Sequence, residues 1–288
     1  MKRFISIFFL VLLTASAVFA HGTKEAKAEE ATAPKLRVYT AILPQKYFVE
    51  RIGGDTVEVS AMVQAGFSPG TYEPKPEQMT ALADSSAFFS VGAPFEKVWL
   101  GKIAGVNPNM KVVDTAAGID RIPSGKGFDA HIWLGPEAVK SQVRTIRDAL
   151  IELNPSAKAL YEKNCDAFLV EVEQLQKELT ARFAPLKDRG FLVFHPAWSY
   201  FAREFGLEQI AVEKNGQEPN AGDLAALVEK VKVRGFKVVI VHPEFSTRAA
   251  EILAGEIGAK TVVISPLNPD WFNNQRLMAD AIEASVRK

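Results

Sequence analysis

Gly190-Phe-Leu-Val-Phe-His195-Pro-Ala-Trp-Ser-Tyr200 is the stretch whose reading decides the fold. Phe191 to Phe194 is an unbroken apolar run of the kind expected for a strand buried on both faces, in a parallel sheet covered by helices. Pro196 cannot donate to a sheet ladder, so the strand ends at or near His195. A helical period then begins at Trp198, Phe201, Ala202 and Phe205, with Gly206 placed as a C-cap. His195 therefore sits at the carboxyl end of a strand, the edge at which open α/β sheets bind their ligands.

Further along, Val-Val-Ile-Val-His242-Pro repeats the same pattern. Both histidines are expected on one edge of one sheet. Around them strands and helices alternate: a short strand 209–212, a helix 221–233, a strand 237–241, a helix 248–257, a strand 261–264 and a final helix. Toward the N-terminus the period is helical for a long way. Val139, Val143, Ile146, Leu150 and Leu153 make one stripe, and Tyr161, Cys165, Phe168, Val172, Leu175 and Leu179 make a second. Asn154-Pro155 separates them, with Asn154 expected as the N-cap of the second helix. That helix reads as a rigid spine between two α/β halves; a coiled-coil arm is the alternative, for which the pattern lasts too few heptads. Before it, residues 36–41, 56–63, 87–91 and 111–113 read as strands separated by helices. The loop Gly66-Phe-Ser-Pro-Gly70-Thr-Tyr-Glu-Pro-Lys-Pro76 is kept from being helical by its glycines and prolines. The predicted fold class is α/β: two lobes, each a mostly parallel sheet flanked by helices, joined by one long rigid helix.

The 288 residues suit two domains, and 48% hydrophobic content suffices for two cores. With 34 basic and 34 acidic side chains the net charge is zero, which recommends neither nucleic acid nor an anionic membrane as a partner. Met1-Lys2-Arg3, the apolar Phe4 to Leu13 and the small-residue segment ending at Ala20 read as a secretory signal peptide. His21 stands where a lipoprotein would carry cysteine, so an exported, soluble protein of the periplasm is expected. The predicted organisation is a signal peptide at 1–20, a flexible tether at 21–34, an N-terminal lobe at 35–153, a bridging helix at 154–184 and a C-terminal lobe at 185–288. The single cysteine, Cys165, excludes an internal disulfide and falls on a core stripe.

Of four histidines, His21 lies in the tether and the other three flank apolar runs. One such histidine is ordinarily a hydrogen-bonded core residue. Two at strand ends on one sheet edge, with His131 at the start of the spine, point instead to a metal site, since neutral imidazole suits zinc. Glu73, Asp129, Glu244 and Asp270 are the nearby carboxylates.

These motifs together resemble the zinc/manganese substrate-binding proteins of ABC transporters, from about Leu36 to the C-terminus. Gly-Phe-Ser-Pro-Gly70-Thr-Tyr-Glu-Pro matches that family's first-ligand loop, Asp129-Ala-His131-Ile-Trp-Leu-Gly-Pro its second, and Phe-His195-Pro-Ala-Trp-Ser its third. Val-His242-Pro-Glu-Phe-Ser matches a stretch usually written Glu-Pro-Gln-Phe-Ser, and Ile-Ser265-Pro-Leu-Asn-Pro-Asp-Trp the fourth-ligand loop. The resemblance implies a monomeric, non-enzymatic protein that hands zinc, or manganese, to a permease in the inner membrane. It also implies His131 and His195 as ligands. Gly70 and Ser265 stand where the family carries a histidine and a carboxylate. Either the site is rebuilt with His242 and Glu244, the favoured expectation, or it is lost and the cleft binds another ligand or a protein. The histidine-rich loop of some members is missing, Ile119 to Phe128 being short and free of histidine. A zinc hydrolase is disfavoured because no general base or oxyanion hole can be read.

Overall fold

The computed structural model describes residues 34–286 apart from Lys126, Lys214 and Asn215. The expected signal peptide and most of the tether lie outside the described residues. The N-terminal lobe runs β1 (Leu36–Thr40), α1 (Leu43–Gly53), β2 (Val57–Ala61), α2 (Pro76–Ala81), β3 (Ala87–Ser90), α3 (Glu96–Val106) and β4 (Lys111–Asp114). A two-stranded antiparallel hairpin, β5 (Pro123–Ser124) with β6 (Gly127–Phe128), follows after the last strand expected from sequence in this lobe. Two long helices come next, α4 (Pro136–Leu153) and α5 (Lys158–Phe183). The C-terminal lobe is β7 (Gly190–Val193), α6 (Ser199–Phe205), β8 (Glu208–Ala211), α7 (Ala221–Lys232), β9 (Val238–Val241), α8 (Arg248–Ile257), β10 (Lys260–Val263) and α9 (Trp271–Val286).

Both four-stranded sheets are parallel throughout and share one order, β2-β1-β3-β4 and β8-β7-β9-β10. In each, the chain steps to one side of its first strand and then crosses to the other. The first and third strands therefore flank a switch point, where the carboxyl-end crevice of such sheets lies. The central strands β3, β7 and β9 are buried along their whole length, as their unbroken apolar runs require. Gly206 ends α6 and Gly258 ends α8, both left-handed with φ of 62° and 68°.

The 26 residues of α5 make a rod of about 39 Å. Its stripe from Tyr161 through Cys165 and Phe168 to Leu179 and Phe183 is buried, so the lone thiol is a core residue. One expectation fails at its start. Asn154 does not cap the helix: a 3-10 turn, Pro155–Ala157, intervenes, and the Asn154 Oδ1 accepts from the Ser156 hydroxyl at 2.6 Å instead.

The spine is fastened to both lobes. Arg51 on α1 pairs with Glu171 on α5 at 2.5 Å, and its guanidinium lies over the rings of Tyr47, Phe168 and Phe272. Arg182 on α5 reaches Asp280 (2.5 Å) and Glu283 (3.0 Å) on α9, while Arg276 of α9 reaches back to Glu178 (2.8 Å). Behind the cleft the lobes touch directly. The Trp133 indole donates to the Pro266 carbonyl (2.7 Å), and the Trp271 indole donates to the Trp133 carbonyl (2.6 Å). Among the described residues, no helix is long and apolar enough to cross a membrane.

Candidate metal centre

Every strand of the C-terminal sheet ends in a polar side chain at the same edge. His195 follows β7, Glu213 follows β8, His242 and Glu244 follow β9, and Ser265 follows β10. Since β7 and β9 flank the switch point, the two His-Pro repeats come together as their shared pattern predicted. The N-terminal half adds His131, on the turn that leads through a short 3-10 segment into α4. His131, His195, Glu213, Glu244, Gly70 and Phe128 all line one cleft of about 500 Å³.

Two of the imidazoles are prepared alike. His131 directs Nδ1 to Asp129 Oδ1 at 2.7 Å, and its backbone N–H donates to the same oxygen at 2.9 Å. His195 directs Nδ1 to Glu213 Oε2 at 2.7 Å. An ionised carboxylate only accepts, so in each neutral ring Nδ1 carries the proton and Nε2 keeps its lone pair for a metal. Burial alone would raise the Asp129 carboxyl; the side-chain and backbone bonds from His131 outweigh it and hold the group below its ordinary range. Phe245 stacks on His195, centroids 4.7 Å apart and planes 21° from parallel, which fixes the ring from its other side. A tetrahedral zinc with bonds of about 2.0–2.1 Å to ring nitrogens places two ligating ring centroids about 5 Å apart. The His131 and His195 centroids are 5.2 Å apart.

His242 differs from both. It is 1% exposed, and neither ring nitrogen has a hydrogen-bond partner among the described residues. Burial, with smaller contributions from His195 and His131, pushes its pKa down to about 3, so the ring is neutral. A buried imidazole with both nitrogens unpaired is costly in an apolar setting. Its centroid lies 6.1 Å from that of His195, one step behind the prepared pair. Glu244 receives the Ser265 hydroxyl on Oε1, and its Oε2 is buried without a partner. Among the described residues, no group of three or more His, Cys, Asp or Glu side chains is already gathered to hold a metal. Two imidazoles are thus in place, with two further donors adjacent but not converged.

The remaining sequence candidates sort plainly. Gly70 lines the cleft, and a Cβ built there would meet only Ser68 Oγ, at 3.3 Å, so a side chain fits once that hydroxyl gives by a few tenths of an ångström. Ser265 bonds Glu244 rather than standing free. Glu73 and Asp270, expected near the histidines, do not line the cleft: both are exposed, and Asp270 accepts from the Asn273 N–H at the start of α9 (3.3 Å). Sequence reading missed Glu213 and Phe245. Glu213 was findable, because it lies two residues beyond its strand as His195 does. Phe245 stands within the quoted His242-Pro-Glu-Phe-Ser stretch, but nothing in the pattern says which ring it covers.

Solved structures and curated proteins place this arrangement among known ones. A crystal structure of ZnuA superposes with a TM-score of 0.85 at 43% identity, covering 87% of this chain and 99% of that one. A ZnuA deletion mutant with zinc bound gives 0.84 at 41% identity, covering 88% and 99%. The zinc-binding lipoprotein AdcA of Streptococcus pneumoniae is 28% identical over 277 residues, covering 90% of this chain and 54% of that protein. The family model described as the periplasmic component A of the zinc-uptake complex matches residues 38–285. With that match spanning nearly all the described residues, the chain belongs to the ZnuA family of zinc-uptake components.

Proposed function

We propose that this protein captures zinc in the cleft between its lobes through His131, His195 and His242, with Glu244 as an oxygen donor, and delivers it to an ABC permease of the inner membrane. The observation that carries the reading is the unpartnered, buried imidazole of His242 beside two imidazoles already oriented by carboxylates. Leaving a polar ring unpaired in a core is destabilising unless something compensates when the site fills. Three nitrogens and one oxygen suit tetrahedral zinc; manganese prefers more oxygen. Family membership supports delivery to a permease and a periplasmic setting, and the zinc-bound ZnuA relative supports the choice of metal.

The spine's ion pairs with α1 and α9, together with the Trp133–Trp271 contacts, favour capture by local shifts of His242, Glu244 and the Gly70 loop over a wide hinge swing. A second reading, a cleft that has given up metal for another ligand, draws support from Gly70 and from the unconverged donors. Metal analysis separates the two. Protein stripped with a chelator and re-equilibrated with zinc takes up one zinc per chain on the first reading. A chain that stays metal-free under zinc excess supports the second.

A further inference from the structure

Ser265 is built to hold something. Its hydroxyl oxygen accepts the Leu267 N–H at 3.0 Å, its carbonyl accepts the side-chain amide of Asn274 at 3.0 Å, and Asn274 itself is 1% exposed on α9. With the backbone pinned and Oγ already accepting, the one hydroxyl proton is left to donate, and it goes to Glu244 Oε1. The other oxygen of that carboxylate, Oε2, is buried with no partner among the described residues, and Glu244 lines the cleft with His131 and His195. One oxygen is tethered and the other is kept free on the carboxylate two residues beyond His242, among the described residues.

We infer that Ser265 is a positioning residue that makes Glu244 a one-oxygen metal donor, and so favours a four-coordinate metal over one that takes six. The inference rests on the zinc-binding reading above. A carboxylate with Oε1 engaged by a hydroxyl offers only Oε2, which completes three imidazoles to a tetrahedron. Released from the hydroxyl, the same carboxylate can offer both oxygens, the donor set that larger, octahedral cations prefer.

The test compares wild type with Ser265→Ala, Ser265→Thr, Glu244→Ala and the double variant Glu244→Ala/Ser265→Ala, using zinc competition titrations and the visible spectrum of bound cobalt(II). Ser265→Ala is expected to weaken zinc by about 10- to 100-fold, the range typical of groups that orient a ligand. Its cobalt spectrum should lose the strong absorption of a four-coordinate ion, and its preference for zinc over manganese should narrow. Ser265→Thr keeps the hydroxyl and should return both readouts toward wild type, which also controls for a fold disturbed by the alanine. In the Glu244→Ala background the Ser265 change should add nothing. An unchanged affinity and spectrum in Ser265→Ala, or an equal loss with Glu244 absent, overturns the positioning role while zinc binding stands. A wild type that takes up no zinc, or one indifferent to His131→Ala, overturns the zinc reading and this inference together.

Discussion

The two sheets share one strand order and part company at their carboxyl ends. In the N-terminal lobe that edge is closed upon itself. Gln45, fully buried, accepts from the Ala41 N–H (3.1 Å) and donates to the Ser90 carbonyl (3.1 Å) and the Thr115 hydroxyl (2.8 Å). Thr115 in turn donates to Ser90 O at 2.7 Å, so the ends of β1, β3 and β4 are bound into one network. In the C-terminal lobe the corresponding edge holds His195, Glu213, His242, Glu244 and Ser265, where three buried atoms have no partner among the described residues: both nitrogens of His242 and Oε2 of Glu244. One topology has produced a satisfied edge that stabilises and an unsatisfied edge that waits for a ligand. Among the described residues, His131 is the one imidazole that the N-terminal half supplies, and it comes from outside that half's sheet.

The contrast breaks first at the prepared pair. His131→Ala or His195→Ala should weaken zinc by more than about 100-fold, exceeding the usual effect of losing an orienting group, and calorimetry reads it directly. At the closed edge the effect should be of another kind. Gln45→Leu should cost roughly 1–3 kcal/mol of stability by stranding buried partners, with zinc affinity unchanged; chemical denaturation beside a zinc titration checks both halves. Gly70→His sharpens the comparison from the opposite direction by giving the N-terminal lobe a new donor at a cleft position whose one close neighbour is the Ser68 hydroxyl. Zinc binding should tighten by on the order of tenfold, with cobalt absorption reporting the added nitrogen.

The smallest effect concerns pH. Glu96 is 4% exposed, and burial raises its pKa to about 7 against the N–H groups of Val91, Gly92 and Ala93, which favour the ionised form. A carboxyl raised on folding binds more protons in the native state. Its contribution is therefore complete below about pH 4.5 and is lost as pH rises through about 7. Melting temperature should fall by a few degrees across that window in metal-free protein, and the slope should flatten in Glu96→Gln.

Most of the fold was legible because buried parallel strands and long amphipathic helices write themselves as apolar runs and 3.6-residue stripes. Phe191–Phe194 and Val238–Val241 placed His195 and His242 on one edge without any structure. The hairpin at residues 123–128 was not legible, since strands of two residues carry no period. Asn154 misled because a turn and a helix cap use the same Asn-Pro chemistry. The candidate histidines could be read; their states could not. That His131 and His195 are backed by carboxylates while His242 is sealed and unpaired depends on contacts between residues distant in sequence, such as His195 with Glu213 18 positions on and with His242 further still, and spacing does not encode those.

His242→Leu tests the central claim most directly, through zinc calorimetry and thermal unfolding of the same metal-free preparation. An apolar side chain of similar bulk relieves an unpaired buried ring, so the variant should melt a few degrees above wild type, reflecting roughly 1–3 kcal/mol. It should also lose most of its zinc affinity, because two imidazoles and a carboxylate leave the tetrahedron one donor short. Higher stability with weaker zinc binding is the predicted signature of an edge kept unsatisfied for its ligand. A variant that binds zinc as tightly as wild type would contradict the account and return His242 to the core.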